Sequence, residues 1–183
     1  MWTKEEEILL TQLESSQKDF WNIDRGTANF LNILIKLYGA KNGLEIGTSN
    51  GYSGIWISKA LKENGGKLTT IEYYEKRIVL AQEHFKICNV DDVITIKQGS
   101  ALDVLATLDE EYDFVFIDAN KREYVKYFEV IGQRVKSGGI IAADNILSHA
   151  EKVKTYVDAV SNHPDYQTQL IPFPAGLLVS YKK

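Results

Sequence analysis

Asp118 and Lys121 stand three residues apart in FVFIDANKREY, the run from Phe114 to Tyr124. Four apolar residues precede the aspartate, so the carboxylate ends what reads as a buried strand and the amine stands just before a helix. A second run, GGIIAADNILSHA from Gly138 to Ala150, has the same form and ends its apolar stretch in Asp144 and Asn145. An ion pair would account for Asp118 and Lys121 alone. Acids gathered at several strand ends make a negative field that folding does not require and that a cation could offset.

A third run, LEIGTSNGYS, follows an apolar strand and opens a helix. Gly47 and Gly51 permit close backbone approach, and a helix N-terminus offers free N–H groups to an anion. The spacing is G-x-x-x-G, with Thr48 to Asn50 between the glycines, so the G-x-G-x-x-G dinucleotide fingerprint is not met. Glu45 would repel a pyrophosphate but suits a ligand whose anion lies beside a positive charge, such as an amino acid. Glu72 ends the next strand, where a carboxylate can accept both ribose hydroxyls. Together these features point to an adenosine ligand with a zwitterionic end, namely S-adenosylmethionine.

These groups need elements to hold them. Strand-like runs (NGLEIG, KLTTIEY, VITIKQG, YDFVFID, IIAADN) alternate with helix-like ones (GYSGIWISKALKENGG, EKRIVLAQEHFKICN, SALDVLATL, REYVKYFEVIGQRVKSGG, HAEKVKTYVDAVSNH), and YQTQLIPF and GLLVSYKK close the chain as two strands. Ser100 is placed to cap the short third helix. The alternation predicts βαβ units and a parallel sheet covered on both faces, with ligands at the carboxyl ends of the strands. Two helices come first. In TKEEEILLTQLESSQKDFW the stripe is Ile8, Leu9, Leu13 and Phe20; in GTANFLNILIKLYGA it is Phe30, Leu31, Leu34 and Leu37, with Gly39 near the end. Trp21, Trp56 and the tyrosines read as core, and His149 as pocket lining or helix start rather than a ligand.

The four motif runs, with TTIEYYEKRIVLAQEHF between them and GLLVSYKK at the end, resemble the metal-dependent O-methyltransferases that include catechol and caffeoyl-CoA O-methyltransferases. The resemblance runs from about Arg25 to the C-terminus. It implies an α/β, Rossmann-like class I methyltransferase fold: a seven-stranded, mostly parallel sheet with an antiparallel last strand and helices on both faces. One domain would span residues 1–183, with 1–24 as a short helical extension. The resemblance also implies S-adenosylmethionine as donor and a divalent cation, usually magnesium, with calcium or manganese in some members. Glu45, Gly47, Thr48, Gly51, Tyr52 and Ser53 would surround the methionine part of the donor. Glu72 and Tyr73 would hold the ribose side, Gly99, Ser100 and Ala101 would pass the adenine, and Asp118 would border the donor. Asp118, Asp144 and Asn145 match the metal ligands, and Lys121 the catalytic lysine.

The chain departs from the family in two places. Ser100 stands where many members carry an acid, and the region before Arg25 is short. An acceptor pocket that is open or completed by another subunit is therefore expected, and a homodimer that covers the apolar side of the helix within Trp2–Phe20.

Two carboxylates and an amide give three oxygens to a hard cation and leave positions for waters or substrate oxygens. Vicinal hydroxyls of a catechol-like acceptor would chelate it and become more acidic. A lysine amine normally titrates near ~10.4, and a neighbouring cation favours its neutral, basic form, so Lys121 would take the hydroxyl proton beside Asp118. A metal-independent methyltransferase, a nucleotide-binding oxidoreductase and a non-catalytic binding module remain open. The chain has 183 residues, 44% hydrophobic and 25% charged, with a formal charge of −4, which suits a globular protein with no nucleic-acid surface. Cys88 is the only cysteine, and MWTKEEEILL has neither a basic start nor a long apolar run; no run approaches ~20 apolar residues. A cytoplasmic setting without membrane contact is expected.

Overall fold

The computed structural model describes residues 2–183. The elements are α1 (Lys4–Ser15), α2 (Gln17–Phe20), α3 (Arg25–Tyr38), β1 (Asn42–Ile46), α4 (Tyr52–Glu63), β2 (Lys67–Glu72), α5 (Glu75–Ile87), β3 (Ile94–Gln98), α6 (Ala101–Thr107), β4 (Tyr112–Ile117), α7 (Tyr124–Ile131), β5 (Val135–Ala143), α8 (Ala150–Ser161), β6 (Tyr166–Ile171) and β7 (Leu177–Lys182). Seven strands form one sheet in the order β3-β2-β1-β4-β5-β7-β6. Only β7 runs against the others, pairing antiparallel with both β5 and β6. No helix among the described residues is long and apolar enough to cross a membrane.

Strand alternation divides the core. Phe114 and Phe116 of β4 pack with α1, α3, α4 and α5 on one face, while Val115 and Ile117 pack with α6, α7 and α8 on the other. A strand apolar on both sides must be covered twice, which is why Phe114 to Ile117 of β4 reads as an unbroken apolar run. The ladders continue one residue past each strand. Asp118 N donates to Ile46 O, Asp144 N to Ile117 O, and Gly99 N to Glu72 O. The residues that end neighbouring strands are thereby fixed side by side on one rim.

Several expectations need correction. REYVKYFEVIGQRVKSGG is not one helix: α7 stops at Ile131, a 3₁₀ turn covers Gly132–Arg134, and β5 begins at Val135. Val135 pairs with Tyr112, and Lys182 Nζ, reaching over from β7, donates to the carbonyls of Gly132 and Val135 at 2.9 and 2.7 Å. Tertiary partners thus take carbonyls that a longer helix would use. The buried side of α3 is Ala28, Leu31, Asn32 and Ile35, and Leu37 is 83% exposed. Asn32 turns inward because its amide donates to Trp56 O at 2.7 Å.

The first helix also differs. Ile8 is exposed, but Leu9, Leu10 and Leu13 join the same core as α4, and Trp2 packs edge-on against Trp56. Lys59 Nζ bonds the buried carboxylate of Glu6 at 2.5 Å, and Glu6 also completes a capping box with Thr3. The apolar side of α1 is therefore covered by its own chain, which removes the ground on which a dimer partner was expected there. Leu10 is fully buried, so Leu10→Ala is predicted to cost about 2–5 kcal/mol in chemical denaturation. A loss below about 0.5 kcal/mol, ordinary for a surface change, would show that α1 is peripheral.

Candidate active site

The carboxyl ends of β1, β2, β4 and β5 open into a cavity of about 980 Å³. Register places Ile117 of β4 opposite Ala143 of β5, so the next residues, Asp118 and Asp144, come out adjacent. Lys121 Nζ donates to Asp118 Oδ1 at 2.7 Å, both side chains being mostly buried. Asp144 is 2% exposed and its Oδ1 has no partner. Burial first, and then the Asp118 carboxylate, raise its pKa to about 7. Asn145 holds a left-handed φ of 67° and its amide donates to Ser148 Oγ at 3.3 Å. His149 starts α8, lines the cavity and contacts Ser148 Oγ through Nδ1 at 3.0 Å. Burial lowers its pKa, helped by Lys121 and Lys152.

The donor set meets the cavity only in part. Gly47, Thr48, Ser53, Glu72, Tyr73, Gly99, Ser100, Ala101 and Asp118 line it. A Cβ on Gly47 would lie 2.2 Å from Asp118 O, so glycine is what lets this loop touch the end of β4. Glu72 is held by three backbone donors: Ser49 N reaches Oε2 at 2.8 Å, and Tyr73 N and Tyr74 N each reach Oε1 at 2.9 Å. Ser100 precedes α6 but makes no side-chain capping bond, contrary to expectation.

Glu45, Gly51 and Tyr52 are not among the cavity-lining residues. Glu45 is fully buried under the loop and accepts from Ser53 Oγ and Thr70 Oγ1, each at 2.6 Å. It lies opposite Thr70 on the α4 side of the sheet, while Leu44 and Ile46 take the other side. Period-two alternation carried that signal, since Glu45 is inside the strand rather than beyond its end. Gly51 packs on Phe85, and Tyr52 points away to donate to Glu14 at 2.7 Å.

Sequence reasoning missed a group of lining residues. Phe20 at the end of α2, and Trp21, Asn22 and Asp24 between α2 and α3, line the cavity, so this chain's own N-terminal segment helps to roof it. Trp21, read as core, is 71% exposed; Trp56 is buried as expected. Arg77 and Tyr74 from the start of α5, and Pro174 and Ala175 from the β6–β7 connection, complete the lining. A Trp-Asn pair between two short helices was the only available hint.

The residues fit a divalent cation. Two adjacent carboxylates with one buried, unpartnered oxygen, and an amide beside them, are the oxygen donors a hard cation takes. Only two of these three are acids, and no cluster of three or more His, Cys, Asp or Glu suited to a metal occurs among the described residues.

Burial, opposed by the Ser53 and Thr70 hydroxyls, pushes the Glu45 carboxyl up to about 7. An unfolded glutamate releases its proton near ~4.3, so the folded chain holds an extra proton between those values and loses stability as pH rises through that window. Glu45→Gln should match the wild type most closely near pH 5 and gain on it by pH 8, on the order of 1–3 kcal/mol. Denaturation curves at the two pH values check this; a pH-independent difference would contradict it.

The O-methyltransferase family profile matches residues 3–171. The chain is 38% identical over 130 residues to a catechol O-methyltransferase of Niastella koreensis, a match covering 69% of this chain and 58% of that one. It is 34% identical over 156 residues to caffeoyl-CoA O-methyltransferase 2 of Populus trichocarpa, covering 80% and 63%. The chain thus spans less than two thirds of either relative. Its structure is similar to that of the O-methyltransferase from Bacillus cereus in complex with SAH, with a TM-score of 0.89, 25% identity, and 100% and 92% of the two chains covered. The profile match over nearly the whole chain and the identity to these relatives lead to one assignment: this chain belongs to the O-methyltransferase family.

Proposed function

We propose that the protein transfers a methyl group from S-adenosylmethionine to a hydroxyl of a small catechol-like or vicinal-diol acceptor, assisted by a divalent cation, with magnesium first in order. The observation that carries the reading is the buried, unpartnered Asp144 Oδ1 beside Asp118 and Lys121, in the same cavity as the Gly47 loop and Glu72. Asp118, Asp144 and Asn145 would hold the cation, which when bound would stabilise the acceptor's oxyanion and acidify its hydroxyl. Asp118 fixes the Lys121 amine at 2.7 Å, on the rim where the acceptor hydroxyl would sit. Lys121 then takes the hydroxyl proton. Glu72, already clamped by three amides, is preorganised to accept from a ribose. Methyl transfer consumes the negative charge of the oxygen and the positive charge of the sulfonium together, so alignment and exclusion of water are the protein's main tasks. Phe20 and Trp21 supply part of that cover.

A methyl-transfer screen over a catechol panel, run in magnesium and in EDTA, tests this reading. Turnover should appear with magnesium and vanish with the chelator. Undiminished turnover in EDTA would favour a metal-independent methyltransferase. Tight NAD binding with no turnover would favour an oxidoreductase.

The role of Lys121 makes a separate prediction. Lys121→Met should lower the rate by roughly 10²–10⁴-fold with donor affinity nearly unchanged. Raising the pH should recover part of that loss, because solvent base replaces the amine. A purely structural ion pair with Asp118 would instead cost melting temperature, and high pH would restore nothing.

A further inference from the structure

The donor half of the cavity is bordered by a ring of contacts, of which the chemistry above leaves the Trp21–Arg77 and Ser49–Phe20 contacts unused. Trp21 lies at the lip with a left-handed φ of 56°, a conformation uncommon for a bulky residue. Its exposed indole faces the Arg77 guanidinium at 5.0 Å, and Arg77 also lies 5.3 Å from the Tyr74 ring. Arg77 makes no ion pair among the described residues, so these aromatic faces are its partners. On the other side of Glu72, Ser49 Oγ donates to Phe20 O at 2.9 Å while Ser49 N holds Glu72 Oε2. Tyr74 N, bonded to Glu72 Oε1, closes the ring. The N-terminal segment is thus tied to the pieces around Glu72 twice, once through the carbonyl of Phe20 and once through the indole of Trp21. The segment is also anchored at its base, where Asn22 Nδ2 donates to Leu13 O at 2.9 Å and Gln17 Nε2 to Asn22 O at 2.9 Å.

We propose that Arg77 is a positioning residue that latches the Gln17–Asp24 segment over the donor half of the cavity through the face of Trp21. This rests on the reading of Glu72 as part of the donor site. A ligand seated on Glu72 would lie beside these two ties, which hold the segment at the edge of its site. The hydrogen bond from Ser49 is built from the donor loop itself. The Trp21–Arg77 contact is the tie that can open without disturbing that loop. A latch of this kind slows donor release and adds affinity only to the extent that it favours the closed segment. An exposed cation–π contact amounts to roughly a two- to fivefold factor.

The test is calorimetric titration of S-adenosylhomocysteine, the demethylated donor, into the wild type, Arg77→Ala, Trp21→Ala and the double variant, with melting temperatures alongside. Both side chains lie at the surface, so unchanged melting is expected. Each single variant should bind roughly two- to fivefold more weakly. The double variant should bind no more weakly than the weaker single, because both remove the same contact. In turnover assays of Arg77→Ala the donor KM should rise by the same factor, with kcat changed less. Single variants that bind like the wild type, or losses that multiply in the double variant, would overturn the latch and leave the donor reading intact. A wild type that does not bind the ligand at all would overturn both.

Discussion

The forced adjacency of Asp118 and Asp144 is the constraint on which the rest of the site depends. Parallel strands in register cannot avoid it: Ile117 and Ala143 are paired, and the amide of Asp144 is bonded to Ile117 O. Two carboxylates this close repel, and burial adds to the cost of charging Asp144. A chain selected for stability alone would have no use for such a pair, because apolar residues at the same strand ends would cost less. One lysine, bonded to Asp118, offsets only part of the charge. The arrangement makes physical sense when a cation and a reacting hydroxyl complete it.

Everything nearby serves to fix that rim. Gly47 lets the first loop press against the end of β4 where any side chain would collide with Asp118 O. Glu45, below the loop, accepts hydrogen bonds from Ser53 and Thr70 and so joins α4 to β1 and β2. It lies outside the cavity lining and ties the floor together from below. Glu72 is held by three amides before any ligand arrives, which spares the cost of ordering it later.

The strands and their terminal acids were legible because their signals are local. Phe114 to Ile117 of β4 is a continuous apolar run followed by a charge, and so is the second half of β5. The start of β5 was not legible, since Val135 to Gly139 carry Lys, Ser and two glycines and become strand only through Tyr112 and Lys182. The direction of the Tyr52 side chain was not legible because its hydroxyl bonds Glu14, a partner 38 residues earlier in the chain. The roof of the cavity was hidden for a similar reason. Trp21 and Arg77 lie 56 positions apart and meet only when α1 docks on the core. The apolar side of α1 was not legible as core because Leu9, Leu10 and Leu13 find their cover in elements far along the chain.

The central claim is that the Asp118–Asp144 pair is a divalent cation site, and direct titration of manganese into the metal-free protein tests it without recourse to turnover. Calorimetry at pH 6 in two buffers of different ionisation heat reports both binding and the protons released. A single saturable site should appear and release protons as Asp144 is forced into its charged form, more at pH 6 than at pH 8. Both binding and proton release should disappear in Asp144→Asn. Absence of saturable binding in the wild type, or binding undiminished in the variant, would contradict the account.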